Sequence, residues 1–276
     1  MSTSLKGWLA VMVLLMGLIT ASFGQSATNE NITINLSQPG KPGSLKVNLL
    51  HGSINVKGYN GKEVIISYNQ QQKSKDKEPD HDESAGLRRL TNNNLGLEVR
   101  EENNNVSIKT STINRAGDLN IQVPHNFSLK LKTLTEGQIM VEEVNGELEI
   151  DNLNGNISLR NVSGSASAST LNGNIIATFR KVTPNMPMAF SSLNGKIDVS
   201  LPATAKFNAK LKTDNGEIFT DFDMAMDKNS KTVQKDNLSS GQRIYLDKWM
   251  YGLINGGGPE MLFKNFNGNI YIRKSK

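Results

Sequence analysis

Three histidines, His51, His81 and His125, are the only imidazoles in the chain. None has the spacing of a zinc site. His51 adjoins Gly52, His125 follows Pro124, and His81 lies in the acidic run Asp80-His81-Asp82-Glu83. That run has the oxygen donors a hard cation takes, but a charge run of this kind reads first as solvated chain. Asp221 and Asp223 are the best carboxylate pair, because residues two apart on a strand share a face. Paired carboxylates do the work of glycoside hydrolysis. No second acidic or basic cluster converges on them in the sequence, so the pair reads as structural. Gly256-Gly257-Gly258-Pro259 lacks the lysine and helix pattern of a phosphate loop and reads as a tight turn. No nucleophile elbow or dinucleotide fingerprint occurs. Catalytic residues, metal ligands and cofactors are therefore all expected to be none.

Tyr245, Trp249 and Tyr251 cluster in a chain with only 6% aromatic residues. They are the candidate binding residues, and two readings stand. They could form a platform on which sugars stack. The favoured reading is a hydrophobic cap, since the ends of repeat structures must be covered.

What would position these residues is a repeat. From Thr133 to Ala177 the chain divides into nines: TLTEGQIMV, EEVNGELEI, DNLNGNISL, RNVSGSASA, STLNGNIIA. Glycine holds the fifth place each time, as Gly137, Gly146, Gly155, Gly164 and Gly173, and further copies place Gly195, Gly216 and Gly268 at the same kind of bend. A fixed period signals a repeat architecture. Asn-Gly is also a hairpin signal. An antiparallel meander, however, would put Glu147 and Glu149 on one face with Val144, leaving neither face apolar. A solenoid avoids this if places three, seven and nine point inward, so that Val144, Leu148 and Ile150 share a core with Leu153, Ile157 and Leu159. LNGNI recurs eighteen residues apart, as does Val-x-Gly, which gives a coil of two strands. Leu153 should then lie beneath Leu171, Val144 beneath Val162, and Asn154 in an amide ladder with Asn172. The fold expected is all-β: a single-domain parallel β-solenoid (β-helix) of about eighteen residues per coil, right-handed because parallel crossovers are.

Met1–Gly24 reads as a secretory signal: Lys6, an apolar run from Trp8 to Ile19, and small residues before Gln25. A membrane anchor would need about twenty apolar residues. No other long apolar run exists, so no integral membrane segment is expected in the mature chain. Residues 25–276 are then the repeat domain, with mobile insertions at about 70–86 and 223–241. No stalk or anchor is expected after the last copy, NFNGNIYIRK. Removing residues 1–24 takes away Lys6 and turns a net charge of +5 into +4. That charge is scattered along strands and argues against a nucleic-acid partner. The absence of cysteine excludes disulfides and a lipid-anchored lipoprotein.

The spacing of T-x-x-G-x-I, N-V-x-G and L-N-G-N-I, the L-x-I-x-V-P strand ends and a late Gly-Gly-Gly before N-G-N-I-Y-I-R resemble the exported "putative adhesin" β-strand-repeat family of bacteria. That family is related to the auto-transporter-adhesin-like Gly-Ile-Asn head domains. The resemblance covers nearly all of residues 31–275. It implies a β-solenoid exported to the periplasm, the cell surface or the medium. The function expected is non-enzymatic: adhesin-like binding of a glycan or another envelope component, or a structural role in the envelope. The rival is a carbohydrate-active enzyme, a polysaccharide lyase or hydrolase, on a β-helix.

If place seven points inward, Ile157→Asp buries an unpaired carboxylate, which costs several kcal/mol. Ser158→Asp points its charge at water and should leave thermal unfolding almost unchanged. Equal melting temperatures for the two variants would contradict the assignment.

Overall fold

A computed structural model describes residues 31–70, 97–110, 117–226, 233–238, 241–246 and 249–275. The acidic stretch with His81, the segment from 71 to 86 and Met1–Gly24 lie outside the described residues. The strands of the first part are β1 (Asn31–Asn35), β2 (Gly43–Leu49), β3 (Ile54–Tyr59), β4 (Glu63–Gln70), β5 (Leu97–Glu102), β6 (Asn105–Thr110) and β7 (Gly117–Pro124). In the centre follow β8 (Phe127–Thr133), β9 (Ile139–Glu142), β10 (Asn145–Asn154), β11 (Ile157–Asn172), β12 (Ile175–Val182), β13 (Met188–Asn194) and β14 (Ile197–Leu201). The last part holds β15 (Phe207–Asn215), β16 (Ile218–Thr220), β17 (Met224–Met226), β18 (Val233–Leu238), β19 (Gly241–Leu246), β20 (Met250–Ile254), β21 (Glu260–Asn267) and β22 (Ile270–Lys274).

Each bend joins two strands into a rung, and neighbouring rungs pair parallel. Ile139, Ile157 and Ile175 are register partners in turn, eighteen residues apart at each step. Asn145 pairs with Ser163 and Leu148 with Ala166 at the same offset. Beyond Val182 the offset grows: Ser167 pairs with Ala189 and Ile175 with Ile197, twenty-two apart, so this turn carries four extra residues (22 − 18).

A wholly parallel stack in chain order is not what forms. The twenty-stranded sheet is mixed. At one end β5 runs antiparallel to β6, and β1 and β4 extend the sheet antiparallel from β7. At the other end β20 runs antiparallel to both β15 and β17. Terminal strands have one free edge, and a reversed strand ends a parallel template instead of extending it. The rung β6–β7 lies outside the rung β2–β3, which contacts β8–β9. The last rung of the chain, β21–β22, is inserted between β13–β14 and β15–β16. The C-terminal strand is thus sealed inside the sheet.

Within the expected second insertion, β17 joins β20 and β18 forms a separate hairpin with β19. The core runs the length of the stack. Small residues in one rung (Ala166, Ala168, Ala177) are offset by Phe179, Phe190 and Phe263, whose rings meet at 6.3 and 5.4 Å. Phe222, buried against Phe207 at a ring distance of 6.0 Å, covers the C-terminal end of this core.

Asn174 lies one rung above Asn156, whose Oδ1 accepts its backbone N–H at 2.8 Å. Parallel neighbours bring Cα atoms to about 4.8 Å, inside the range of about 4.4–6.8 Å that a disulfide spans. The pair Asn156→Cys and Asn174→Cys should therefore oxidise readily within one chain without loss of folding. In a meander the same sites are about 9.6 Å apart or more, and failure of a folded variant to oxidise would contradict the register.

Candidate functional site

The inward assignment of place three holds at one corner and fails at the other. Val144 and Val162 are buried. Leu153 and Leu171 are 43% and 39% exposed. Parity explains the difference. Alternation along β10 turns Leu148, Ile150 and then Asn152 inward, so Leu153 must face out. At the valine corner a residue in the left-handed region, Glu143 (φ 58°) or Asn161 (φ 52°), slips the phase by one and returns the valine to the core.

At this corner the residue before the outward one, which is place two in every unit but that of Thr133 (place one), therefore brings a polar side chain into the interior. There it meets the carbonyl of the bend glycine in the adjoining rung. Thr133 Oγ1 donates to Gly52 O at 3.3 Å, Asn152 Nδ2 to Gly137 O at 3.0 Å and Thr170 Oγ1 to Gly155 O at 3.1 Å. Ser192 Oγ donates to Gly173 O at 3.0 Å, Asn265 Nδ2 to Gly195 O at 2.7 Å and Thr213 Oγ1 to Gly268 O at 2.9 Å. The bend must be glycine for a steric reason as well. A Cβ at Gly155, whose φ is +153°, would stand 1.9 Å from Gly137 O. Gly146 and Gly164 belong to the opposite corner, where a Cβ at Gly164 would meet Gly146 O.

Turning the next residue outward, place three in every unit but that of Leu134 (place two), produces a column of apolar side chains on the bend edge. Leu134, Leu153, Leu171, Leu193 and Phe266 are between 38% and 45% exposed. Each is flanked by register pairs that place them in successive rungs. The column spans about 19 Å at 4.8 Å per rung, and Asp214 ends it in the rung of β15.

Beside it runs an amide ladder. Asn172 donates to Asn154, Asn194 to Asn172, Asn267 to Asn194 and Asn215 to Asn267, each at 2.8 Å. A carboxamide has two N–H donors and two lone pairs. An interior member of the ladder uses one donor and one acceptor, leaving one of each for an outside partner. In four rungs, Leu153–Asn154, Leu171–Asn172, Leu193–Asn194 and Phe266–Asn267, the two columns form a strip of one apolar and one amide group each.

The residues singled out from the sequence are placed as follows. Trp249 and Tyr251 stand half-buried on the outer face at the C-terminal end of the sheet, with Tyr251 opposite Lys210. Lys210 Nζ lies 5.1 Å from the Trp249 ring centroid and 6.0 Å from that of Tyr251, and Lys212 Nζ lies 5.6 Å from Trp249. Tyr245 lies in β19, and its side chain is outside the described residues. Asp221 Oδ1 accepts the backbone N–H of Lys274 at 2.7 Å, while Phe222 between the two aspartates is buried. Thr135 Oγ1 bonds His51 Nδ1 at 2.5 Å, and His125 Nδ1 lies 2.7 Å from Glu143 O. Gly256 and Gly257 form a turn closed by Gly257 N–H to Ile254 O at 3.0 Å.

One aromatic pair has no counterpart in the sequence reading. Phe219 and Tyr271 stack at 5.1 Å, with Arg273 over Tyr271 at 4.9 Å. Arg273 Nε donates to Asp198 Oδ1 at 2.8 Å, and this bond holds the guanidinium pKa above its ordinary value. Among the described residues, no group of three or more His, Asp or Glu could hold a metal ion, and no helix is long and apolar enough to cross a membrane.

The chain belongs to the Toastrack DUF4097 family, which matches residues 20–245. Among solved structures, this Toastrack chain is similar to a putative cell adhesion protein of Clostridium sporogenes, at 13% identity and a TM-score of 0.39. That match covers 90% of this chain and 99% of the other. It is also similar to a putative adhesin of Bacteroides fragilis, at 11% identity and a TM-score of 0.35, covering 91% and 98% of the two chains. Comparison with curated proteins returns no match.

Thr170→Val keeps the shape of the side chain but leaves the Gly155 carbonyl facing the core without its donor. An unmet buried acceptor costs about 1–3 kcal/mol, which lowers the melting temperature of a chain this size by several degrees. Thr170→Ser should retain most of the stability. Unchanged melting of Thr170→Val would show that the bond is dispensable.

Proposed function

We propose that the chain is an exported, non-enzymatic binding protein of the cell envelope that holds an extended polymer, a glycan, along its bend edge. Its scaffold is a β-solenoid of about eighteen residues per coil, wound right-handed as parallel crossovers are. The observation that carries this reading is the strip itself. Leu153, Leu171 and Leu193 stand in line beside Asn154, Asn172 and Asn194.

A sugar unit offers an apolar C–H face and a hydroxyl rim. One leucine and one spare amide per rung match those two demands. Repetition at one spacing lets a linear polymer engage several rungs at once, and linked weak contacts multiply into useful affinity. The amides are already aligned by their neighbours, so binding orders few side chains. The sequence at Met1–Gly24 supports export. Trp249 and Tyr251 beside Lys210 are a second place where a sugar could stack.

The test is a glycan array probed with the wild-type chain and with the triple variant Leu153→Ser, Leu171→Ser, Leu193→Ser. These side chains are exposed, so each change should shift stability by about 0.5 kcal/mol or less. The reading expects a glycan ligand whose binding falls at least about tenfold in the triple variant, the loss of roughly 1.4 kcal/mol. A wild-type chain that binds no glycan, or a folded triple variant that binds as well as wild type, would contradict it.

A further inference from the structure

The repeat is interrupted at the corner opposite the bend edge, and a cleft opens there. In earlier rungs this corner is closed by a single left-handed residue and a buried valine, as at Asn161 and Val162. After β12 the four extra residues lift the chain away from that path, and the 202–206 and 255–259 turns face it. Between them lies a cavity of about 420 Å³, within the range of about 300–1,000 Å³ typical of small-ligand sites.

Its walls are braced. Thr183 N–H donates to Gly164 O at 2.9 Å. Asn255 Nδ2 donates to Ala203 O at 2.9 Å and to Ala205 O at 2.7 Å, and Gly258 N–H to Asn208 Oδ1 at 3.0 Å. Prolines 184, 202 and 259 stiffen the rim. The cleft is therefore formed before anything enters it.

The lining divides by chemistry. Val182 and the prolines Pro184, Pro202 and Pro259 supply apolar surface, over a floor of buried Ala205 and Met261. Arg180, Lys181 and Lys206 are exposed cations on the same cleft, and no aspartate, glutamate or aromatic residue lines it. Elsewhere cations meet carboxylates, as Lys130 does Glu149 and Arg160 does Glu142. Among the described residues these three form no ion pair; Arg180 only donates Nε to Asn161 O at 2.8 Å. Unpaired cations of one sign call for an anion. An aliphatic lining without aromatic rings suits an alkyl chain better than a sugar or a base.

We infer that this cleft binds a single amphiphile with one alkyl chain and an anionic head, the tail against Val182 and the rim prolines Pro184, Pro202 and Pro259 and the head held by Arg180 and Lys206. The site is independent of the strip on the opposite edge. It needs no movement of the sheet, because its floor belongs to rungs already packed.

Calorimetric titration of the purified chain with dodecanoate, below the concentration at which it forms micelles, tests this. One-to-one binding is expected. The double variant Arg180→Ser, Lys206→Ser should bind about a hundredfold more weakly, near tenfold for each charge-assisted hydrogen bond removed. Thr204→Trp, which fills the exposed mouth, should weaken binding without removing charge. Dodecyltrimethylammonium, with the same tail and the opposite head, should bind at least about tenfold more weakly than dodecanoate. Equal affinity for the two heads would overturn the inference, as would inorganic phosphate binding as tightly as dodecanoate. Phosphatidylglycerol vesicles captured by a chain that ignores monomeric dodecanoate would replace it with a membrane-surface role. Folded variants that bind like wild type would remove it altogether.

Discussion

The carbonyls of the bend glycines Gly52, Gly137, Gly155, Gly173, Gly195 and Gly268 point into the protein, and the stack depends on meeting them there. A turn at the surface gives its carbonyls to water. A bend stacked beneath another bend cannot, and an unmet buried carbonyl costs as much as a lost hydrogen bond. Thr133, Asn152, Thr170, Ser192, Asn265 and Thr213 solve the problem six times with three kinds of side chain. Their common property is a donor short enough to reach the adjoining glycine from an inward position. The same contact fixes register, because slipping a strand by one residue would turn its donor outward and its leucine inward. Placing a donor inward at place two is what puts Leu153 and Leu171 on the surface. The exposed apolar column is therefore a by-product of the interior chemistry as well as a candidate contact surface.

Closing the stack is a separate problem. Parallel rungs present their edges to any matching strand. The chain answers with reversed strands at both ends and with charge on them: β5 carries Glu98, Arg100 and Glu102, and Glu101 accepts hydrogen bonds from Ser37 and Asn104. Those bonds hold the Glu101 carboxyl below its ordinary pKa. Threading β21–β22 inside β15–β16 also makes the C-terminal segment an interior rung, so its loss would open the sheet in the middle rather than fray an end.

Much of this was legible in the residues. The nine-residue cut, the stacking of like rows and the eighteen-residue offset follow from LNGNI and Val-x-Gly alone, and the amide contact of Asn172 with Asn154 follows from them. The inward role of Asn152 was legible too, by counting alternate positions forward from Leu148. Treating both corners alike concealed it: the phase slips before the valine, at Glu143 or Asn161, but only after Asn152 at the other corner, where Gly155 takes the positive φ. Strand direction at the ends was not legible, since alternation reads the same in parallel and antiparallel pairs. The order of the rungs was not legible either. LNGNI-type units are interchangeable at the level of local contacts, and long-range pairing decides which one sits between β13 and β15. The cleft had a visible trace in the spacing from Gly173 to Gly195, four residues longer than that from Gly155 to Gly173.

Residue-resolved amide hydrogen exchange at the bend glycines tests the central claim most directly. In the stack, the N–H groups of Gly155, Gly173, Gly195 and Gly268 donate to Asn172, Asn194, Asn267 and Asn215 across rungs, at 2.8 to 3.0 Å. They should exchange as slowly as the neighbouring core strands, through global opening only. In hairpin loops the same glycines would face water. Exchange at the rate of an unstructured peptide at these four positions, with the flanking isoleucines still protected, would contradict the stacked bend and the account built on it.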